Sequence, residues 1–329
     1  MKRMTRTSRF LLCCSLPGAI TWQTPLHAQD KPAGYPVRPI RIIVPVVPGG
    51  GLDTICRAVA QMLTERWGQT VVVDNRPGGG TVIATELGAK APPDGYTILA
   101  GTDTLAILGA MKRVPFDVRT AFEPIVPMTM QPYILIVNPT VPAKTIKELV
   151  AYSKTQSLSY GSSGVGTTGH LGMEQLASLT GAKFVHVPYK GGAASLVGAV
   201  SGEIHMMPGV VISATQAIKA GKLRALAALG LKRVAALPDL PTAAEQGLPG
   251  FKIVNSYNLF APAGTPRPVV IALNRVVGDF MHSSTMTQRL TTDGSQAGER
   301  MTPEAFKSFL AREYVEVEHQ VKNLNVKLF

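Results

Sequence analysis

The stretch Ile40-Arg41-Ile42-Ile43-Val44-Pro45-Val46-Val47-Pro48-Gly49-Gly50-Gly51-Leu52-Asp53 decides the fold. Ile40 to Val47 is rich in β-branched residues and reads as a strand. Pro48-Gly49-Gly50-Gly51 ends it. Beyond the glycines, Ile55, Val59, Met62, Leu63 and Trp67 recur at helical spacing, so Asp53 to Trp67 is predicted as a helix with one buried stripe, capped by Asp53 or Thr54. The unit then repeats: Val71 to Asp74 is a second strand, Arg76-Pro77-Gly78-Gly79-Gly80 a second glycine loop, Thr81 to Lys90 a helix, and Thr97 to Ala100 a third strand. Strands that alternate with helices imply a parallel sheet covered on both faces.

The pattern restarts further on. Tyr133 to Val137 reads as a strand, and Thr145 to Gln156 as a helix with Thr145 and Glu148 spaced as a capping box. Leu158 to Tyr160, Phe184 to His186, Ile204 to Met207 and Leu223 to Leu229 are short strands, separated by helices at Thr168 to Thr180, Ala193 to Val200 and Ser213 to Ala220. The tail from Pro266 is mainly helical. Its last helix is capped by Thr302, starts at Pro303, and carries Phe306, Phe309, Leu310, Tyr314, Val317 and Val321 on one face. The count fits an α/β protein of two lobes, each a mainly parallel sheet flanked by helices. No long linker separates them, and the crossings fall near Gln131-Pro132 and Asn255-Ser256. The expected organisation is a discontinuous first lobe, 29–131 plus 256–329, and a second lobe, 132–255. Open α/β sheets bind ligands beyond the carboxyl ends of their strands, so two facing lobes make a binding cleft.

With 329 residues, 45% hydrophobic and 16% charged, the chain can bury two such cores. Its formal charge of +12 would suit a nucleic-acid binder, but the distribution does not. Lys2, Arg3, Arg6 and Arg9 precede an apolar stretch, Phe10 to Ile20, and a polar run ending at Leu26-His27-Ala28. This is the pattern of a secretory signal, residues 1–28, cut after Ala28. The apolar part reaches only about half of the roughly 20 residues that span a bilayer. Of the 33 basic residues this leader holds four, and none of the 21 acidic ones, so its removal leaves +8. That remainder lacks interleaved aromatics and reads as solvated surface, including Lys219, Lys222 and Arg224. Cys13 and Cys14 leave with the leader. Cys56 remains alone on the first helix, where burial is expected. Export without disulfides points to a bacterial periplasm.

The strongest local signal for chemistry is Tyr160-Gly161-Ser162-Ser163-Gly164-Val165-Gly166-Thr167-Thr168-Gly169-His170, a glycine-rich loop that follows a strand and opens a helix. Small residues let backbone N–H groups approach an oxyanion, hydroxyls add donors, and the helix N-terminus adds positive partial charge. The loop reads as an anion seat; the alternative is an ordinary strand-to-helix turn whose glycines serve backbone geometry alone. Pro48-Gly49-Gly50-Gly51 has the same placement on the first lobe, without hydroxyls until Thr54. Neither loop is a nucleotide motif, since GxGxxG and GxxxxGK[ST] are both absent. The loop approaches GxSxG around Ser163 but has Val165 at the last glycine position. A hydrolase built on Ser163 and His170 is thus the enzyme alternative. His170, His186, His205, His282 and His319 show neither HExxH nor CxxC spacing, so no metal is expected, and no cofactor.

At these loops the chain resembles a known family, the Bug-type, TctC-like solute-binding proteins of tripartite tricarboxylate transporters. The resemblance rests on Tyr35 to Pro45 with Pro48 to Asp53, on Asp74 to Gly80, Pro93 to Thr97, Pro142 to Thr145, Tyr160 to His170 and His186 to Gly191. Lys219 to Leu226, Leu237 to Thr242 and Ala261 to Pro266 continue it in order along the chain. It implies a periplasmic binding protein, not an enzyme, that closes two lobes on a carboxylated solute and delivers it to membrane permease subunits; sensing for a membrane receptor would use the same fold. The implied ligand is a di- or tricarboxylate or an aromatic dicarboxylate, the receptor a monomer. Its carboxylates would meet Gly49, Gly50, Gly51, Thr102 and Thr104 on the first lobe, and Ser162, Ser163, Gly166, Thr167, Thr168 and His170 on the second. One departure bears on specificity. Where the family commonly carries acids after the strand, this chain reads His205-Met206-Met207-Pro208-Gly209-Val210-Val211, which argues against an amino-acid ligand; Met207 and Pro208 fit either a larger apolar ligand body, such as an aromatic ring between carboxylates, or plain core packing.

Overall fold

The computed structural model describes residues 31–292 and 294–324; the expected leader, 1–28, lies outside them. In chain order the elements are β1 (Ile40–Val44), α1 (Gly51–Trp67), β2 (Val71–Asn75), a 3₁₀ turn (Gly79–Thr81), α2 (Val82–Ala89), β3 (Thr97–Thr102), α3 (Thr104–Ala110), β4 (Phe122–Val137), α4 (Ile146–Ser153), β5 (Leu158–Ser162), α5 (Thr168–Thr180), β6 (Phe184–Pro188), α6 (Gly192–Ser201), β7 (Met206–Val210), α7 (Val211–Lys219), β8 (Arg224–Ala228), β9 (Val254–Pro262), α8 (Arg267–Met281), α9 (Ser284–Thr292), β10 (Gln296–Ala297) and α10 (Pro303–Leu324).

Two lobes share one sheet of order β2-β1-β3-β9-β4-β7-β5-β6. β1 pairs in parallel with β2 and β3, and β5 pairs in parallel with β6 and β7. Between these parallel sets the sheet is mixed. β9 runs antiparallel to β3, and β4 runs antiparallel to β9, β7 and β8. The chain crosses between lobes along these two strands, and neighbouring strands that cross back and forth must alternate in direction.

Alternation along each strand builds a core on each sheet face. In β4, Tyr133, Leu135 and Val137 enter the core roofed by α4 and α5, while Ile134 and Ile136 enter the one roofed by α6 and α7. In β1, Ile40, Ile42 and Val44 face α1, α8 and α9, while Ile43 faces the side covered by α2, α3 and α10. The last helix covers this side of the sheet: Phe306, Leu310 and Tyr314 pack with Leu105, Leu108 and Phe260, and Phe309 and Val317 lie partly buried beside them. Cys56 is fully buried in the α1 core.

Two caps differ from the sequence reading. α1 starts at Gly51, with Gly50 as N-cap and no side-chain cap, so Asp53 lies within the first turn. In α4 the Thr145 hydroxyl accepts from the Glu148 N–H as expected, but the Glu148 carboxylate accepts from Lys144, one residue before the cap.

Candidate functional site

Where the lobes face each other, a narrow cleft is lined from both sides. Its walls are largely the starts of helices. α1 contributes Gly50, Gly51 and Leu52, α3 contributes Thr104, and α5 contributes its N-cap Thr167. α6 contributes Gly192 and Ala193, and α7 contributes Val210 and Ser213. The first N–H groups of a helix have no partner within it, and they sit at the positive end of its dipole. Thr81, Thr102, Ser163, Asn255, Tyr133 and Tyr257 add the remaining polar residues of the lining. Val46, Met207 and Pro208 make it apolar elsewhere. None of the lining side chains is charged.

Gly51 is fixed by space. A Cβ there would stand 2.6 Å from the Tyr257 hydroxyl and 2.8 Å from Ile212 Cγ2, so only a glycine lets the start of α1 reach the Tyr257 side of the cleft. Gly49 serves the turn. It has φ of +91°, and its N–H donates to Asp53 Oδ2 at 3.0 Å, which directs that donor away from the cleft. The same carboxylate accepts from Arg57 Nε at 2.9 Å and, through Oδ1, from Asn75 Nδ2 at 2.9 Å. Burial alone would raise the Asp53 carboxyl, but the bonds from Arg57, Gly49 and Asn75 outweigh it and hold the group below the usual carboxylate range.

The second loop is braced from behind by rings. Tyr160, His170 and His186 stack, with the two imidazoles 3.9 Å apart. The Gly166 N–H donates to His170 Nδ1 at 3.0 Å, so the neutral ring carries its proton on Nε2. Ser162 is buried; its hydroxyl contacts His186 Nε2 at 2.7 Å and donates to the Gly164 carbonyl at 3.0 Å. Burial pushes His170 down to about 3, helped by His186 and Arg113, and pushes His186 down to about 4. Both rings are neutral at ordinary pH.

Of the residues marked out in the sequence, Gly50, Gly51, Thr102, Thr104, Ser163 and Thr167 line the cleft, whereas Gly49, Ser162, Gly166, Thr168 and His170 do not. The first three of that second group and His170 are engaged inside their loops, as described. Thr168 meets the opposite lobe: its N–H donates to Thr104 Oγ1 at 3.4 Å, with the two hydroxyls 3.5 Å apart. Ser163 and His170 form no pair, since the His170 acceptor already serves Gly166. The lobes also touch at the rim. Arg113 donates to the Val165 carbonyl at 2.9 Å, and a Cβ on Gly80 would stand 2.2 Å from that same oxygen.

Sequence reasoning passed over Thr81, Tyr133, Gly192, Ser213, Asn255 and Tyr257. Signals for some of them were present. Tyr133, Asn255 and Tyr257 flank the two crossings, where any side chain facing inward enters the cleft, and Gly191-Gly192 opens a helix after a strand just as the other two loops do.

Comparison with known proteins gives a consistent set of similarities. A family profile described as "Tripartite tricarboxylate transporter family receptor" (TctC) matches residues 55–324. BugT of Bordetella pertussis is 34% identical over 306 residues, covering 89% of this chain and 91% of BugT. The structure of Rhodopseudomonas palustris Rpa4515 with adipate aligns with a TM-score of 0.83 at 33% identity, over 88% of this chain and 98% of that one. MatC from the same organism, with bound malate, aligns with a TM-score of 0.83 at 29% identity, over 87% of this chain and 100% of that one.

Proposed function

This chain belongs to the TctC family of tripartite tricarboxylate transporter receptors, and we propose that it captures a small carboxylate, a di- or tricarboxylate or an aromatic dicarboxylate, between its two lobes. The family is one of periplasmic solute-binding proteins that work with membrane transporter components, and is not enzymatic. In this reading 29–131 plus 256–329 form one lobe, 132–255 the other, residues 1–28 are an export signal removed near Ala28, and the receptor is a monomer that hands its solute to the permease subunits.

The observation that carries the reading is the lining of the cleft. Helices α1, α5, α6 and α7 all begin there, and no lining side chain is charged. A carboxylate would find several N–H and hydroxyl donors, whereas a ligand ammonium would find no counter-charge among the lining residues. Adipate in one relative and malate in another support the carboxylate class. Gly50, Gly51, Thr102, Thr104, Ser163 and Thr167 are the proposed contacts; Gly49, Ser162, Gly166, Thr168 and His170 hold those contacts in place. Each charge-assisted hydrogen bond contributes about 1.5–3 kcal/mol. A few of them, less ordering and desolvation, yield the roughly −8 kcal/mol of a micromolar complex. A ligand touching both lobes favours the closed arrangement by binding it preferentially.

Thermal unfolding in the presence of mono-, di-, tri- and aromatic carboxylates tests the reading. A ligand at a hundred times its Kd adds about 2.7 kcal/mol to stability and raises Tm accordingly. Stabilisation by ligands recovered chemically unchanged is the expected result; no shift with any carboxylate would remove the proposal.

A further inference from the structure

Building on the carboxylate reading, we propose that Asp103 is a positioning residue that couples capture of the anionic solute to uptake of one proton. Asp103 lies between Thr102 and Thr104, which both line the cleft, but is not itself part of the lining. Its Oδ2 accepts from the Ser256 N–H at 2.8 Å, and its Oδ1 accepts from the Ser256 hydroxyl. Ser256 in turn lies between Asn255 and Tyr257, again both lining residues. One carboxyl therefore ties two wall segments together, the β3–α3 corner and the start of β9, at the place where the chain returns from the second lobe to the first.

The surroundings of that carboxyl decide how it responds to a bound anion. Its hydrogen-bond partner is Ser256 of β9, and Glu313 of α10 opposes its charge. Tyr133 of β4 and Tyr314 of α10 face it electrostatically, each pushed further toward the neutral phenol by the Asp103 charge. Among the described residues it makes no ion pair. Burial pushes the Asp103 carboxyl up to about 6, against the two Ser256 bonds and with help from Glu313. A solute carboxylate seated on the neighbouring N–H and hydroxyl groups adds a second negative charge to the same wall, which favours the protonated form of Asp103. Coupling between two binding events is reciprocal, so a proton on Asp103 must equally favour the solute. Affinity then rises as pH falls toward 6 and weakens as pH rises above it, by at most tenfold per pH unit for a single proton.

Titration calorimetry with malate and adipate as probes, between pH 6 and 8 and in two buffers of different ionisation heat, tests this over a range where the probes are themselves ionised. The wild-type chain is expected to lose three- to tenfold in affinity from pH 6.5 to 7.5 and to take up a proton on binding. Asp103→Asn keeps an acceptor for the Ser256 N–H without the charge, and should bind tightly with no pH slope. Ser256→Ala removes a donor that favours the charged form and should move the midpoint of the slope to higher pH. A flat wild-type profile without proton uptake, or an unchanged slope in Asp103→Asn, would overturn the proton coupling while leaving carboxylate capture intact. If neither probe nor any other carboxylate binds at any pH, the functional reading and the coupling fall together.

Discussion

Behind Gly50 and Gly51 the cleft wall is braced by charge: an ionised Asp53, buried, gathers the Gly49 N–H, the Arg57 guanidinium and the Asn75 amide. Behind Ser163 and Thr167 the opposite wall is braced by neutral rings, with His170 and His186 stacked and accepting from Gly166 and meeting Ser162. The two loops look alike in sequence and face the same cleft. What differs is the acceptor that engages the inner donors, a carboxylate matched by a cation in one lobe and an uncharged imidazole in the other. The comparison teaches that the same bracing can be done by an ionised carboxylate where a guanidinium offsets its charge, and by neutral rings where none does.

Acid separates the two designs most strongly. Asp53 has a lowered pKa, so its contribution is complete above the unfolded carboxyl value and is lost only as pH falls through the still lower folded one. His170 and His186 have folded values of about 3 and 4, below the unfolded 6.5. The unfolded chain binds protons first, so stability drains away as pH falls from about 6.5 toward 4. Denaturant unfolding should show a loss of about 2–4 kcal/mol over that range, and the slope should become shallower in His186→Phe, which keeps a stacking ring without a titrating one. An equal slope in that variant would break the contrast. Space gives the next effect. Gly51→Ala brings a methyl to 2.6 Å from the Tyr257 hydroxyl, whereas the same change at Gly192 meets only Ser163 Oγ at 3.6 Å. Overpacking should lower stability by about 1–3 kcal/mol in Gly51→Ala alone, and calorimetry should find carboxylate affinity down at least tenfold there and within twofold in Gly192→Ala. The smallest effect is expected at Arg57, whose side chain is 52% exposed. Arg57→Ala should lower the unfolding free energy read from denaturant titration by about 0.5 kcal/mol, and a loss several times larger would mean that Asp53 depends on its cation more than on its amide donors.

Helix α5 was legible to the residue because Gly181, with φ of +67°, ends it and a strand-glycine unit precedes it. β9 was not. Asn255, Ser256 and Asn258 interrupt its apolar pattern, and the partners of Ser256 and Asn258 become visible only once Asp103, distant in sequence, is placed beside Ser256. The first half of β4 was hidden by Pro124, Pro127 and Pro132; the strand tolerates proline there through register shifts at Pro124/Val126 and Pro127/Thr129. For the cleft, the glycine loops could be seen, but not which of their N–H groups turn inward. That choice is made by Asp53, held by Asn75 and Arg57, in one lobe and by His170, stacked on His186, in the other, and the placement of those holders depends on tertiary packing.

The pairing of β3 with β9 has a consequence for how the molecule comes into being. The Asp103–Ser256 bonds beside that pairing join residues 153 positions apart, and β9 itself separates β3 from β4. As the polypeptide emerges from its N-terminal end, β1, β2 and β3 can associate early, but the exposed edge of β3 has no neighbour until residues 254–262 arrive. Such distant pairings are slow to form. Delay of this kind makes the cleft a late product of folding, because the β3 side of its wall and the β9 side are joined only when residues far along the chain have been made.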